Sequence, residues 1–269
     1  MQGGSSKALS VVLEATEAAL GDGAEPTRLG DELFSFARAL DSAHSLRRAL
    51  TEPAVPAEAK ARLLRSLVEG KLDEATIKVV EAAGGRRWSR ARDLPDALEQ
   101  ASVAAHVANA DEAGTLDELE DNLFRFARIA EGDPGLREAF GDATAPLEGK
   151  RSLVDALVGD KVDDTTRTLL EQAVAARGRS LAATLAQYQK VAASRRDSLV
   201  ATVWVAAPLD DQHKERLTQA LSEQYSRPMH LNVIIDEEIL GGVRVAVGDE
   251  VLDSTIEARL KLARRRLER

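Results

Sequence analysis

The chain has 269 residues, enough for two or three modest domains, with 44% hydrophobic and 30% charged residues, so it can bury a core. Aromatic residues are only 3% of the total, and the core must come from Leu, Val and Ala. A net charge of −9 argues against an extended nucleic-acid surface, and the lack of cysteine excludes disulfides, thiolate metal sites and cysteine nucleophiles.

The N-terminal stretch Met1-Gln2-Gly3-Gly4-Ser5-Ser6-Lys7 shows no basic region leading into an apolar one, so no signal peptide is expected. A leading helix is predicted over about 5–20. Leu29, Leu33, Phe36, Ala37 and Leu40 then recur at helical spacing. Pro56 opens a further helix carrying Leu63, Leu64, Leu67 and Val68, and Asp73 caps the next, which stops at Gly84-Gly85.

The same pattern returns 90 residues later. Asp31-Glu32-Leu33-Phe34-Ser35-Phe36-Ala37-Arg38 falls on Asp121-Asn122-Leu123-Phe124-Arg125-Phe126-Ala127-Arg128, and Pro56, Lys60, Asp73 and Thr76 fall on Pro146, Lys150, Asp163 and Thr166. Without a gap, 19 of the 51 pairs from position 31 to 81 are identical, which identifies a duplicated domain. The second copy repeats the helical sets Leu116, Leu119, Leu123, Phe126, Ala127 and Leu153, Val154, Leu157, Val158, and Gly178 marks a stop. The leading helix has its counterpart near 95–110, a stretch that also matches the closing helix of copy two near 181–195. Residues 94–110 are therefore expected to close one bundle and open the next, joining the copies as a rod.

From Asp197 onward the period shifts from 3.6 toward 2. The longest apolar run, residues 199–209, is about half of the roughly 20 residues a membrane-spanning helix needs, and its β-branched residues read as a strand. Pro208 is expected to open a helix carrying Leu217, Leu221 and Tyr225. Residues 229–235 and 243–247 alternate as strands. Gly241-Gly242 lies between them, Gly248-Asp249 turns the chain into Val251-Leu252-Asp253, and a final helix is expected from about Thr255, with Leu260, Leu267 and the basic Arg264-Arg265-Arg266. The fold class is α+β: duplicated helical bundles over 1–110 and 94–195, then a small α/β domain with a mixed sheet over 196–269.

The segment running from Leu240, Gly241, Gly242 and Arg244 through Gly248, Asp249 and Asp253 to Thr255 and Ile256 closely resembles the C-terminal signature of the F-type ATP synthase δ subunit family, whose mitochondrial members are the oligomycin-sensitivity-conferring proteins. The family pattern is about L-[IV]-G-G-[IV]-R-[IV]-x-[IV]-G-D-x-[VI]-[IL]-D-G-S-[VIL]; here Asp253-Ser254-Thr255 replaces the usual Asp-Gly-Ser. A usual member has one six-helix bundle, so the duplication makes this chain similar to the long form. The resemblance implies a non-catalytic stator subunit of the peripheral stalk, without cofactor. It implies a bundle that grips the N-terminal helices of the α subunits and a C-terminal domain that meets the C-terminal end of the b subunit. It further implies a place at the cytoplasmic face of the cell membrane, touching the membrane only through partners. Leu240, Gly241, Gly242, Arg244, Gly248, Asp249, Asp253 and Thr255 are its signature positions, structural or partner-facing.

Other chemistry is thinly supported. Gly149-Lys150-Arg151-Ser152 lacks the first glycine of a phosphate loop and has Arg151 where Ser or Thr is needed, and Gly241-Gly242 with Gly248 lacks dinucleotide-loop spacing. His44, His106, His213 and His230 are scattered, and Asp236-Glu237-Glu238 reads as an acidic turn before it reads as a general base. The arginines around Trp88, at 86, 87, 90 and 92, read first as cations at a helix C-terminus with the tryptophan packed inward. They could also grip an acidic protein or RNA, which gives the alternative of a helical adaptor that binds nucleic acid or regulates a partner.

Overall fold

The computed structural model describes residues 3–142, 144–176, 179–197, 199–225, 229–236, 239, 241–247 and 250–253. Two compact units divide the chain, Met1–Arg195 and Arg196–Arg269.

The first unit is helical: α1 (Gly4–Gly21), α2 (Pro26–Ser42), α3 (His44–Thr51), α4 (Ala57–Val68), α5 (Glu74–Gly84) and α6 (Asp93–Glu112), then α7 (Leu116–Gly132), α8 (Pro134–Gly141), α9 (Leu147–Val158), α10 (Asp164–Ala175) and α11 (Leu181–Asp197). Moving α2, α3 and α4 by 90 residues reproduces the limits of α7, α8 and α9 residue for residue. The start signals act as their chemistry requires. Pro56 and Pro146 immediately precede α4 and α9, and the Asp73 and Asp163 carboxylates accept from Ala75 N and Thr166 N. At the end of α5 the Gly85 N–H bonds Glu81 O with φ −72°, so this glycine stops the helix without entering the left-handed region.

Core one gathers Val12, Leu29, Leu33, Leu40, Leu50, Leu64, Val79, Val80 and Trp88, and core two gathers Leu119, Leu123, Phe126, Phe140, Val154, Leu169, Leu170 and Tyr188. Helix α6 serves both. Leu94, Ala97, Leu98, Ala101 and Ala105 face core one, while Val103, Val107 and Ala110 face core two. Positions 101 and 103 are two residues apart, about 200° around a helix of 3.6 residues per turn, so one helix presents opposite stripes to two cores. It is hydrophobic on both sides because it is covered on both sides.

The second unit holds β1 (Leu199–Val205), α12 (Asp211–Tyr225), β2 (Met229–Ile235), β3 (Val243–Val247) and β4 (Glu250–Asp253). The sheet order is β2-β1-β3-β4, parallel between β1 and β2 and antiparallel elsewhere. A parallel pair needs a crossover, which α12 provides. Leu221 of α12 joins Ala201, Val203, Val205, Met229, Val245 and Val247 in a third core. Pro208 does not open this helix. It begins at Asp211, where the Asp210 carboxylate accepts from the His213 N–H at 2.7 Å and satisfies a first-turn donor that a proline three residues upstream cannot reach. The terminal helix expected from Thr255 lies outside the described residues. The mixed α/β domain and the paired bundles give the α+β class read from the sequence.

Candidate functional site

Helix α6 carries the buried polar side chains Asp93, Glu99, Gln100, Ser102 and His106. Ser102 Oγ donates to Gly30 O at 2.7 Å and lies 3.3 Å from Gln172 Oε1; Gln172 Nε2 is 3.0 Å from His106 Nε2, which is 3.4 Å from Asp31 Oδ1. Ser102, His106 and Gln172 are all buried, so these bonds pin both α2 and α10 to the same stripe of α6. Gly30 is needed where it stands, because a Cβ there would meet His106 Nε2 at 2.6 Å.

A second set ties α11 to α6. Glu99 accepts from Arg179 Nη2 at 2.9 Å and from the Tyr188 hydroxyl at 3.0 Å. Burial raises the Glu99 carboxyl above the ordinary carboxylate range despite the opposing pull of Arg179 and Tyr188, and it raises the Tyr188 phenol well above its usual value. Arg195 bonds Glu17 at 2.6 Å and Asp111 at 2.9 Å, so the last helix of the unit holds both its first helix and α6. None of these polar ties is visible as a motif. The available signal is a run of Glu99, Gln100, Ser102 and His106 in a helix with apolar residues on every side.

In the second unit the signature residues are distributed over a turn and two strands. Gly241 and Gly242 have φ of 136° and 83°, conformations that disfavour a side chain. Arg244 on β3 is opposite Trp204 on β1 and Asp253 on β4. Its guanidinium lies 4.9 Å from the Trp204 ring centroid, and Nη2 is 3.7 Å from Asp236 Oδ2. Trp204 and Asp236 are partners that the linear signature does not name. Leu240, Gly248, Asp249 and Thr255 lie outside the described residues. Val247 is paired with Glu250 in the antiparallel β3–β4 ladder.

The remaining candidates are dispersed. His44 Nδ1 meets Arg47, His213 Nδ1 meets Asp210 and His106 is in the α6 seam. Among the described residues no group of three or more His, Cys, Asp and Glu side chains could hold a metal. Lys150 donates to Phe140 O at 2.8 Å and Arg151 is 3.5 Å from Glu171, so both cations of the phosphate-loop-like stretch serve helix packing. Trp88 points inward, its indole N–H donating to Ala83 O at 3.0 Å, and Arg92 is 3.8 Å from Asp41. Among the described residues no helix is long and apolar enough to cross a membrane.

A family model described as ATP synthase delta (OSCP) subunit matches residues 101–267. The chain belongs to this family. ATP synthase subunit delta of Streptomyces avermitilis is 46% identical over 241 residues, covering 89% of this chain and 88% of that one. The subunit delta of Thermobifida fusca is 43% identical over 268 residues, covering 99% of each chain. A chain in the cryo-EM structure of the Toxoplasma gondii mitochondrial ATP synthase hexamer is 17% identical and covers 62% of this chain and 95% of that one, with a TM-score of 0.27, an overlap too small to bear on the fold. The delta-family assignment makes the chain a structural subunit of the ATP synthase peripheral stalk, and the adaptor reading is not favoured.

Proposed function

We propose that this delta-family chain links the catalytic head to the b subunit and so stops the head from turning with the rotor. The helical unit grips the N-terminal helices of the α subunits, and the α/β unit meets the C-terminal end of b. The observation that carries the reading is α6: one helix buried in two cores, cross-braced by Ser102, Gln172 and His106, suits a member that must transmit torque without bending. Residues 1–110 and 94–195 are the two bundle copies, with 94–110 shared, and 196–269 is the third domain. The family match over residues 101–267 supports copy two as the family's ordinary bundle and copy one as the addition.

Within the α/β unit the signature positions Leu240, Gly241, Gly242, Arg244, Gly248, Asp249, Asp253 and Thr255 serve the domain's own structure or its contact with b. The chain has no active site of its own, binds no nucleic acid, and lies at the cytoplasmic face of the membrane through its partners. The test is capture of purified catalytic head and of the soluble part of b by the full chain, then by residues 1–195 and 196–269. Retention of the head by 1–195 and of b by 196–269 is expected. Loss of both partners by the full chain would sink the reading.

A further inference from the structure

The two copies differ at one end of the bundle. In copy one the α5–α6 connection, residues 85–92, turns Trp88 into core one, the cluster that also holds Leu40 and Leu50, leaving it 6% exposed. Lys60 is buried at the same end; burial first, then nearby Arg87, lowers its ammonium pKa. Copy two lacks the plug. Its α10–α11 connection, residues 176–180, reads Ala-Arg-Gly-Arg-Ser, three residues shorter and without an aromatic.

Where copy one is filled, copy two has an open groove of about 1030 Å³ floored by Ala130, Phe140, Leu147 and Leu185. Ala130 and Phe140 are the 90-residue counterparts of Leu40 and Leu50. Ala173 O is the counterpart of Ala83 O, and each carbonyl takes a backbone N–H at 3.3 Å, from Ala176 and Arg86. In copy one that carbonyl also takes the indole N–H of Trp88. Among the described residues, the cations Arg38, Arg137, Lys150 and Arg179 line the groove against one carboxylate, Glu131. Arg179 is committed to Glu99, while Arg137 is exposed. The space exceeds one side chain and accommodates an aromatic anchor with its flanking backbone.

We infer that this groove receives an aromatic residue of another protein, presented between acidic neighbours, which fills copy two as Trp88 fills copy one. Charge selects this occupant over a second copy of the chain, whose own Trp88 is flanked by arginines and already buried. The inference does not depend on which ATP synthase subunits the chain joins.

The experiment uses the full chain with methyl-labelled alanines and three capped peptides, EEWEE, EEAEE and KKWKK, followed by NMR up to millimolar concentration. With EEWEE, shifts are expected at Ala127, Ala130, Ala145 and Ala182, with binding about tenfold weaker for EEAEE and KKWKK and weakened by salt. Ala130→Leu, which restores the copy-one residue, and Arg137→Glu, on an exposed position, should each weaken EEWEE at least about fivefold. Absence of shifts at saturating peptide overturns the inference. So does equal binding of EEWEE and EEAEE, or wild-type binding by Arg137→Glu; that exposed variant decides the matter if Ala130→Leu misfolds.

Discussion

The two bundle copies share their helix limits from α2 to α4 and from α7 to α9, yet they bury different residues. Phe34 on α2 is 7% exposed, while its counterpart Phe124 on α7 is 53% exposed. Phe34 lines a cleft with Ala175 and Ala176 of copy two, so the neighbouring copy supplies cover that the repeat alone does not. The core pair Leu64 and Gly84 becomes Val154 and Val174: a Cβ at Gly84 would stand 2.0 Å from Leu64 Cδ1, and copy two shares the volume between two valines instead. Duplication thus fixes the backbone frame, while each position is filled to suit what lies against it.

The largest way to break the comparison is at the seam. Glu99→Ala removes the hydrogen bonds from Arg179, which keeps only its 4.0 Å contact with Asp96, and from the Tyr188 hydroxyl, and should cost about 3–5 kcal/mol in urea unfolding. Its charge gives a pH signature. The folded-state pKa of Glu99 is raised, so its contribution is most favourable below its unfolded pKa of about 4.3 and is lost as pH rises through the folded value. Wild type should therefore gain stability relative to Glu99→Gln, which does not titrate, when unfolding is compared at pH 7 and pH 4.5. A difference that does not change with pH would show that Glu99 ionises alike in both states.

Next in size is the pair of phenylalanines. Phe34→Ala should cost about 3 kcal/mol, and Phe124→Ala less than about 0.5 kcal/mol, in parallel thermal or urea melts. Equal costs would mean that copy two does not cover α2. Gly84→Val should cost about 2 kcal/mol alone, and the double variant with Leu64→Val, which copies the arrangement of the second bundle, should recover most of that loss. The smallest effect belongs to the other unit: Arg244→Ala removes a cation–π contact with half-exposed Trp204 and should cost about 0.5–1 kcal/mol, read from the Trp204 fluorescence transition.

Much of this architecture is written locally. Asp73 and Asp163 cap helices because a carboxylate two or three residues upstream can reach a free N–H, and the same aspartates are legible in the chain. The alternation at residues 229–235 and 243–247 announces strands because successive side chains face opposite sides. Pro208 misleads for the same local reason: it suits a helix start, but Asp210 has the oxygen that caps one. The candidate site was legible at Gly241, Gly242 and Arg244, whereas Trp204 and Asp236 become partners of Arg244 only when β3 pairs with β1.

The sequence by itself determined the repeat, the helix starts, the change of period near Asp197 and the δ-family signature, since all of these depend on spacing within a few turns or on direct self-comparison. Only the tertiary structure decided that Ser102, Gln172 and His106 form one buried seam and that Glu99 has Arg179 and Tyr188 as partners. It also decided that Trp88 closes one bundle while the matching end of the other stands open. These partners lie some 66 to 89 residues apart in the chain. Their pairing is set by how helices pack around a shared core, and periodicity along one helix carries no record of its neighbour's polar groups.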